Sequence, residues 1–219
     1  MFWEASHIDN GRGGLAILIS NQFASRFQRG IEEVRPARGH IFGLRLAGAQ
    51  GCLHVWNVHL DASNNPNIRC NQLHLLADLV TPPAQAHTAI AGEFNFTSAV
   101  WDRVSESLLE TGLDRHECFV WEQRFAGFRE RFRSDFKRDG GRNQPKSRID
   151  KIFSNLHPTA YMGADLHVRL LFDRSTRAAD TVAPLSDHRM VSARFTPCSP
   201  GPRRHARIPA WATRHDKWQ

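Results

Sequence analysis

Short runs of alternating or uniformly apolar residues, bounded by glycine and other turn formers, dominate the chain. Leu15–Ser20, Ile41–Leu46, Leu53–His59, Thr88–Ala91, Ile149–Phe153 and Met190–Phe195 each have the length and period of a strand. Two helical stripes interrupt them. Ile68, Leu75, Leu76, Leu79 and Val80 fall at i, i+7, i+8, i+11 and i+12, and Pro82-Pro83 stops that helix. Trp101, Val104, Leu108 and Leu109 mark the second, with Gly112 as its stop. Consecutive strands with occasional helices predict an α+β fold in which packed sheets are covered by helices, rather than a strictly alternating parallel one.

The stretch 121–142 has its own pattern. Phe125, Phe128, Phe132 and Phe136 recur at spacings of 3, 4 and 4, with Arg124, Arg129, Arg131, Arg133, Arg138 and Arg142 between them. This spacing predicts an amphipathic helix with its phenylalanines buried, ended at Asp139-Gly140-Gly141. The same residues suit a basic, aromatic surface that follows a nucleic-acid backbone, and one helix can serve both ends. Residues 197–219 are proline-rich and basic and read as a tail outside the core.

Charge sharpens the picture. The chain has 219 residues, net charge +7, and only four lysines (Lys137, Lys146, Lys151, Lys217) among 29 basic residues. Guanidinium groups bind phosphate oxygens bidentately, so an arginine excess suits a polyanionic partner; arginine-rich codon usage gives the same excess without function. Cys52, Cys70, Cys118 and Cys198 are scattered, with no CxxC or HExxH, which argues against a zinc site and suits a reducing compartment. No stretch has the ~20 apolar residues of a membrane span, and Leu15–Ile19 is too short for a signal peptide. The expectation is a soluble, intracellular protein without membrane contact, for which a nuclear location is compatible.

Four clusters place acids, amides or imidazoles where an apolar strand ends: Val55–Asp61, Ile90–Phe96, Ser147–Phe153 and Leu185–Met190. Any one of them is what ordinary turn chemistry leaves at a strand end. Converging on one sheet rim, they could bind a hard cation and move protons, as phosphodiester hydrolysis requires.

Taken in order, these clusters resemble the endonuclease/exonuclease/phosphatase superfamily, the DNase I-like fold. Gly92-Glu93-Phe94-Asn95 resembles its Gly-Asp-hydrophobic-Asn motif, Arg148-Ile149-Asp150 with Ile152-Phe153 its Arg-Ile-Asp strand, and Ser186-Asp187-His188 its terminal Ser-Asp-His. Val58-His59 fits a strand end that carries a site His or Tyr. Arg12-Gly13-Gly14-Leu15-Ala16-Ile17-Leu18 is similar to a strand of retrotransposon-type endonucleases. The resemblance covers residues 12–196 as one domain, preceded by a remnant, 1–11, and followed by the tail, 197–219.

The resemblance implies a two-sheet β-sandwich flanked by helices and a Mg²⁺-dependent phosphodiesterase, with Mn²⁺ as the second choice of metal. It assigns His59, Glu93, Asn95, Asp150 and His188 to catalysis, and Asp187 and Glu93 to the metal. His188 would act as base or charge stabiliser, Asp150 would orient its imidazole, Asn95 would orient phosphate or water, and His59 would serve the leaving-group side. DNA is the expected partner, with RNA as the alternative, contacted by Arg124, Arg129, Arg131, Arg133 and Arg138, and with a reverse-transcriptase-like region downstream.

Two departures stand out. Glu93 replaces the family's Asp, moving a carboxylate by about a bond length, and a misplacement of ~1 Å can cost ~10²-fold in rate. The family's opening strands, the second ending in Gln-Glu with a metal-binding Glu, are absent from the recognisable pattern. Glu4 follows Trp3 and lies close to Arg12, so it reads as an exposed terminal residue. Three functions follow in order: a DNA-nicking endonuclease, a catalytically impaired nucleic-acid-binding relic, and a phosphatase or phosphodiesterase on inositol or lipid phosphates.

Overall fold

A computed structural model describes residues 1–5, 14–49, 51–82, 84–98, 103–104, 114–130, 146–147 and 149–156. Its main layer is a six-stranded mixed sheet of β3 (Gly30–Ala37), β4 (Ile41–Gly48), β5 (Gly51–His59), β6 (His87–Glu93), β10 (Asp150–Ser154) and β8 (Arg129–Glu130), in spatial order β3-β4-β5-β6-β10-β8. Among the described strands only β5 and β6 run parallel, and α2 (Pro66–Leu79) makes the crossover between them. A hairpin-like sheet of β1 (Phe2–Ala5) and β2 (Gly14–Ile17) forms a second layer. The fold class is α+β, as the strand pattern predicts.

Alternation decides what each face of the main sheet packs against. Phe42, Leu44 and Leu46 of β4 join Leu15 and Ile17 of β2 in one core, and Asn57 of β5 donates from Nδ2 to the Ala16 carbonyl at 3.0 Å. On the opposite face, Ile41, Trp56, Val58, Ile90 and Phe153 pack with Leu73 and Leu76 of α2 and Trp121 of α3 (Arg115–Arg124). Gly43 is required in that layer. A β-carbon there would lie 2.4 Å from the Trp56 ring, which is fully buried.

Among the described strands β3 lies at the edge of the sheet, with exposed charges on both of its faces at Glu32, Glu33 and Arg35, and its register shifts between Val34 and Ala37 around Pro36. Helix α2 begins at Asn65, whose side chain accepts the Asn67 N–H, with Pro66 in the first turn where no N–H is needed. Its inner face is Arg69, Gln72, Leu73 and Leu76. Ile68 and Leu75, members of the apolar stripe, are exposed instead. The buried Arg69–Glu117 ion pair, 2.6 Å, ties α2 to α3 and explains the rotation.

Three expectations need correction. Residues 121–142 do not form one helix: α3 stops at Arg124, Phe125 N–H closes its last turn on the Trp121 carbonyl, and Arg129–Glu130 is the short strand β8. Phe125 stacks on Trp121 at 4.2 Å and Phe128 meets Phe125 edge-on, so aromatic contact around a corner produces the spacing read as helical. Val104 lies in a two-residue strand, β7 (Arg103–Val104), paired with β9 (Lys146–Ser147), not in a helix. Glu4 is 6 % exposed, not a free terminal residue, because β1 pairs with β2 and places Glu4 opposite Leu15 between the layers. The strand expected at Met190–Phe195 lies outside the described residues.

Candidate active site

Three polar residues form a row across three strands. His59 ends β5 and pairs in register with Glu93 at the end of β6, and Glu93 pairs in register with Asp150 at the start of β10. Register partners share a face. By alternation this is the face of Asn57, which the β1–β2 layer covers. His59 Nε2 lies 3.7 Å from Glu93 Oε2. All three residues are partly exposed, so the row opens to solvent at the rim.

The backbone makes this possible at Gly92. Its φ is 138°, and a β-carbon would fall 2.0 Å from the Val58 carbonyl oxygen. Only glycine lets β5 and β6 approach this closely beside the site. After it, Glu93-Phe94-Asn95-Phe96 alternates. Phe94 and Phe96 are fully buried and meet edge-to-face at 5.9 Å, which anchors the segment on the helix side. Asn95 is the one described non-glycine residue with positive φ, 51°, in the left-handed region that Asn tolerates better than most residues. Its Nδ2 donates to the Leu60 carbonyl at 2.8 Å, and Leu60 N–H donates to the Glu93 carbonyl at 2.9 Å. Amide orientation is thereby fixed.

Residues that the motifs do not name join this rim. His40, in the β3–β4 turn, bonds the His59 carbonyl through Nδ1 at 2.8 Å, and His59 N–H donates to the His40 carbonyl at 2.9 Å. A carbonyl only accepts, so Nδ1 carries a proton and is the donor. The imidazoles of His40 and His59 stand 6.4 Å apart. Gly39 N–H donates to Glu4 Oε2 at 3.3 Å, bringing a carboxylate from the second layer to the same turn. Asp61 follows β5. The Ser63 hydroxyl holds its carboxyl below the usual range, with smaller contributions from the Ser63 amide, His40 and Arg69.

The structure thus brings together His59, Glu93, Asn95 and Asp150. Arg124 and Arg129 are exposed elsewhere, and Arg124 pairs with Asp78 of α2. Asp187, His188, Arg131, Arg133 and Arg138 lie outside the described residues. Among the described residues, no three His, Cys, Asp or Glu side chains gather closely enough to hold a metal ion. The donor chemistry nevertheless suits Mg²⁺. Glu93 is a hard oxygen donor, and this ion is commonly held by one or two carboxylates with water and substrate oxygens. Cys118 is buried, and burial pushes its thiol up to about 11, so it is not a soft ligand. Among the described residues, no helix is long and apolar enough to cross a membrane.

No family model matches the chain, and no curated protein matches it. Several solved structures are similar over part of it. The endonuclease domain of TRAS1, a telomere-specific non-LTR retrotransposon, shares 12 % identity over 73 % of this chain and 64 % of its own, at a TM-score of 0.48. A humanized D. rerio TDP2 shares 19 % identity over 60 % of this chain and 52 % of its own, at 0.37. An endonuclease/exonuclease/phosphatase family protein from Bacteroides thetaiotaomicron shares 13 % over 52 % and 40 %, at 0.33. This chain covers less than two thirds of each.

Proposed function

We propose that this chain hydrolyses phosphodiester bonds with Mg²⁺ and nicks DNA, as an endonuclease of the retrotransposon type. The observation that carries the reading is the in-register row His59, Glu93 and Asp150, with Asn95 held in a left-handed turn beside it. An imidazole, two carboxylates and an oriented amide on one open rim are the groups that phosphoryl transfer to water uses. The net charge of +7 supports a polyanionic substrate.

In this reading Glu93 would hold the metal together with Asp187. Bound Mg²⁺ would supply charge stabilisation at the phosphoryl group. Asn95 orients the phosphate or the attacking water. His59, beside Glu93, contacts the phosphate or returns a proton to the leaving oxygen. Asp150 orients His188, which takes the proton from water. Arg124, Arg129, Arg131, Arg133 and Arg138 would contact the DNA backbone.

The test is nicking of supercoiled plasmid with Mg²⁺ or with EDTA, by the wild type and by Asp187→Ala, His188→Ala and Glu93→Gln. Metal-dependent nicking lost in all three variants supports the proposal. Salt-sensitive DNA binding without cleavage by any form overturns it in favour of a binding relic. Turnover of inositol phosphates with plasmid left intact overturns it in favour of a small-substrate phosphatase.

A further inference from the structure

Beyond the site itself lies a buried polar assembly with a route into it. Arg69 of α2 is almost wholly enclosed, its side chain 8 % exposed, against a Glu117 side chain that is 1 % exposed. Its Nε donates to Glu117 Oε1 at 2.7 Å. Nη2 lies 2.6 Å from the same oxygen. Nη1 points the other way, donating to the carbonyls of Asp61, 3.3 Å, and Ser63. Gln72, one helical turn along, accepts the Asp61 N–H on Oε1 at 2.9 Å.

These contacts converge on the segment that leaves the site. Residues 62–65 are exposed, so packing does little to fix them. Leu60, at the segment's start, is fully buried, and its carbonyl is the acceptor that holds the Asn95 amide. Its N–H holds the Glu93 carbonyl. A guanidinium can satisfy a carboxylate on one edge and two carbonyls on another; an ammonium cannot match that geometry.

We propose that Arg69, with Gln72, is a positioning residue: it holds the Leu60–Ser63 segment and thereby sets the Asn95 amide and the end of β5. The proposal rests on the nuclease reading for its catalytic consequence, but the structural coupling stands apart from it. A merely structural ion pair would join α2 to α3 and leave the segment's motions unchanged.

The decisive variant is Arg69→Met with Glu117→Leu, in the full-length chain. Removing both charges leaves no unpaired buried ion, and such replacements are often neutral for stability. Three quantities are measured: the urea midpoint, hydrogen exchange of the 60–65 amides, and steady-state kinetics of plasmid nicking with Mg²⁺. The expected result is a retained midpoint, faster exchange confined to 60–65, and a fall in kcat of about 10²-fold with KM little changed. In an Asn95→Ala background most of that fall should vanish, because both changes act on one amide. If the double variant does not fold, Gln72→Leu, which removes the Asp61 contact and keeps the ion pair, should show the same local loosening. Unchanged exchange at 60–65, or a fall fully additive with Asn95→Ala, overturns the proposal. A wild type that cleaves no DNA overturns the nuclease reading instead. Exchange then decides the positioning claim, upheld by loosening and refuted without it.

Discussion

His40 and His59 exchange main-chain and side-chain hydrogen bonds: the His40 ring donates to the His59 carbonyl at 2.8 Å, and His59 N–H donates to the His40 carbonyl at 2.9 Å. The reciprocal pair fastens the β3–β4 turn to the end of β5, and the Gly39 bond to Glu4 extends the tie to the second layer. His40→Ala is expected to slow nicking by about fivefold, since one hydrogen bond is worth about 1 kcal/mol and its loss loosens the strand end. His40→Asn, which keeps a side-chain donor, should recover part of the rate. Single-turnover plasmid cleavage at fixed pH measures both.

Gly92→Ala is expected to be among the most destabilising single substitutions in the chain. The new β-carbon would meet backbone, the Val58 carbonyl at 2.0 Å, and φ would remain in a region that L side chains rarely adopt. Overpacking of this kind typically costs about 1–3 kcal/mol, and more where backbone cannot yield. A urea titration should show the midpoint falling with the slope preserved.

Asn95 separates conformation from chemistry. Asn95→Gly keeps the left-handed backbone at no steric cost but removes the amide, so it should lose about 1 kcal/mol with the Leu60 hydrogen bond and slow nicking by about 10²- to 10³-fold, leaving a measurable residual rate. Asn95→Ala removes the amide and strains the backbone, and should be less stable than Asn95→Gly by about 1 kcal/mol. Equal stability of the two variants would show that the positive φ of 51° is not enforced.

A pH dependence follows from His54. Burial lowers its pKa below the ordinary 6.5, with Arg45 adding to the effect, and Thr81 Oγ1 lies 3.1 Å from its Nδ1. A lowered histidine pKa means that the unfolded chain binds the proton more readily. Stability from this residue is therefore fully present above about pH 6.5 and lost as pH falls through the lower folded value. His54→Gln should flatten that limb of the stability profile, followed by thermal melts between about pH 7 and 5. The Asp61 carboxyl, lowered chiefly by the Ser63 hydroxyl, acts in a separate and more acidic window.

The central strands were legible because β4, β5 and β6 combine uninterrupted apolar runs with polar ends, and the motif residues His59, Glu93, Asn95 and Asp150 sit at those ends. Strand β3 was not legible, since Glu32-Glu33 and Arg35-Pro36 give an exposed edge the composition of a loop. Glu4 and His40 escaped for a different reason. Each is brought to the rim by pairing with a residue distant in sequence, and nothing local marks it. On α2 a hydrophobic stripe misplaces the inner face because Arg69 and Gln72, polar by type, spend their donors and acceptors inside. In residues 121–128 the spacing of aromatic rings reflects a helix end and a turn packed as one cluster, which a period alone does not distinguish from continued helix.

The edge strand β3 also has a consequence for assembly. Its exposed charges and the register shift around Pro36 interrupt the regular ladder that a strand from a neighbouring copy would need. Proteins at high local concentration commonly join by extending one another's sheets. Here that route is obstructed at β3, so copies brought close together would remain separate particles on that side rather than merge into a continuous sheet.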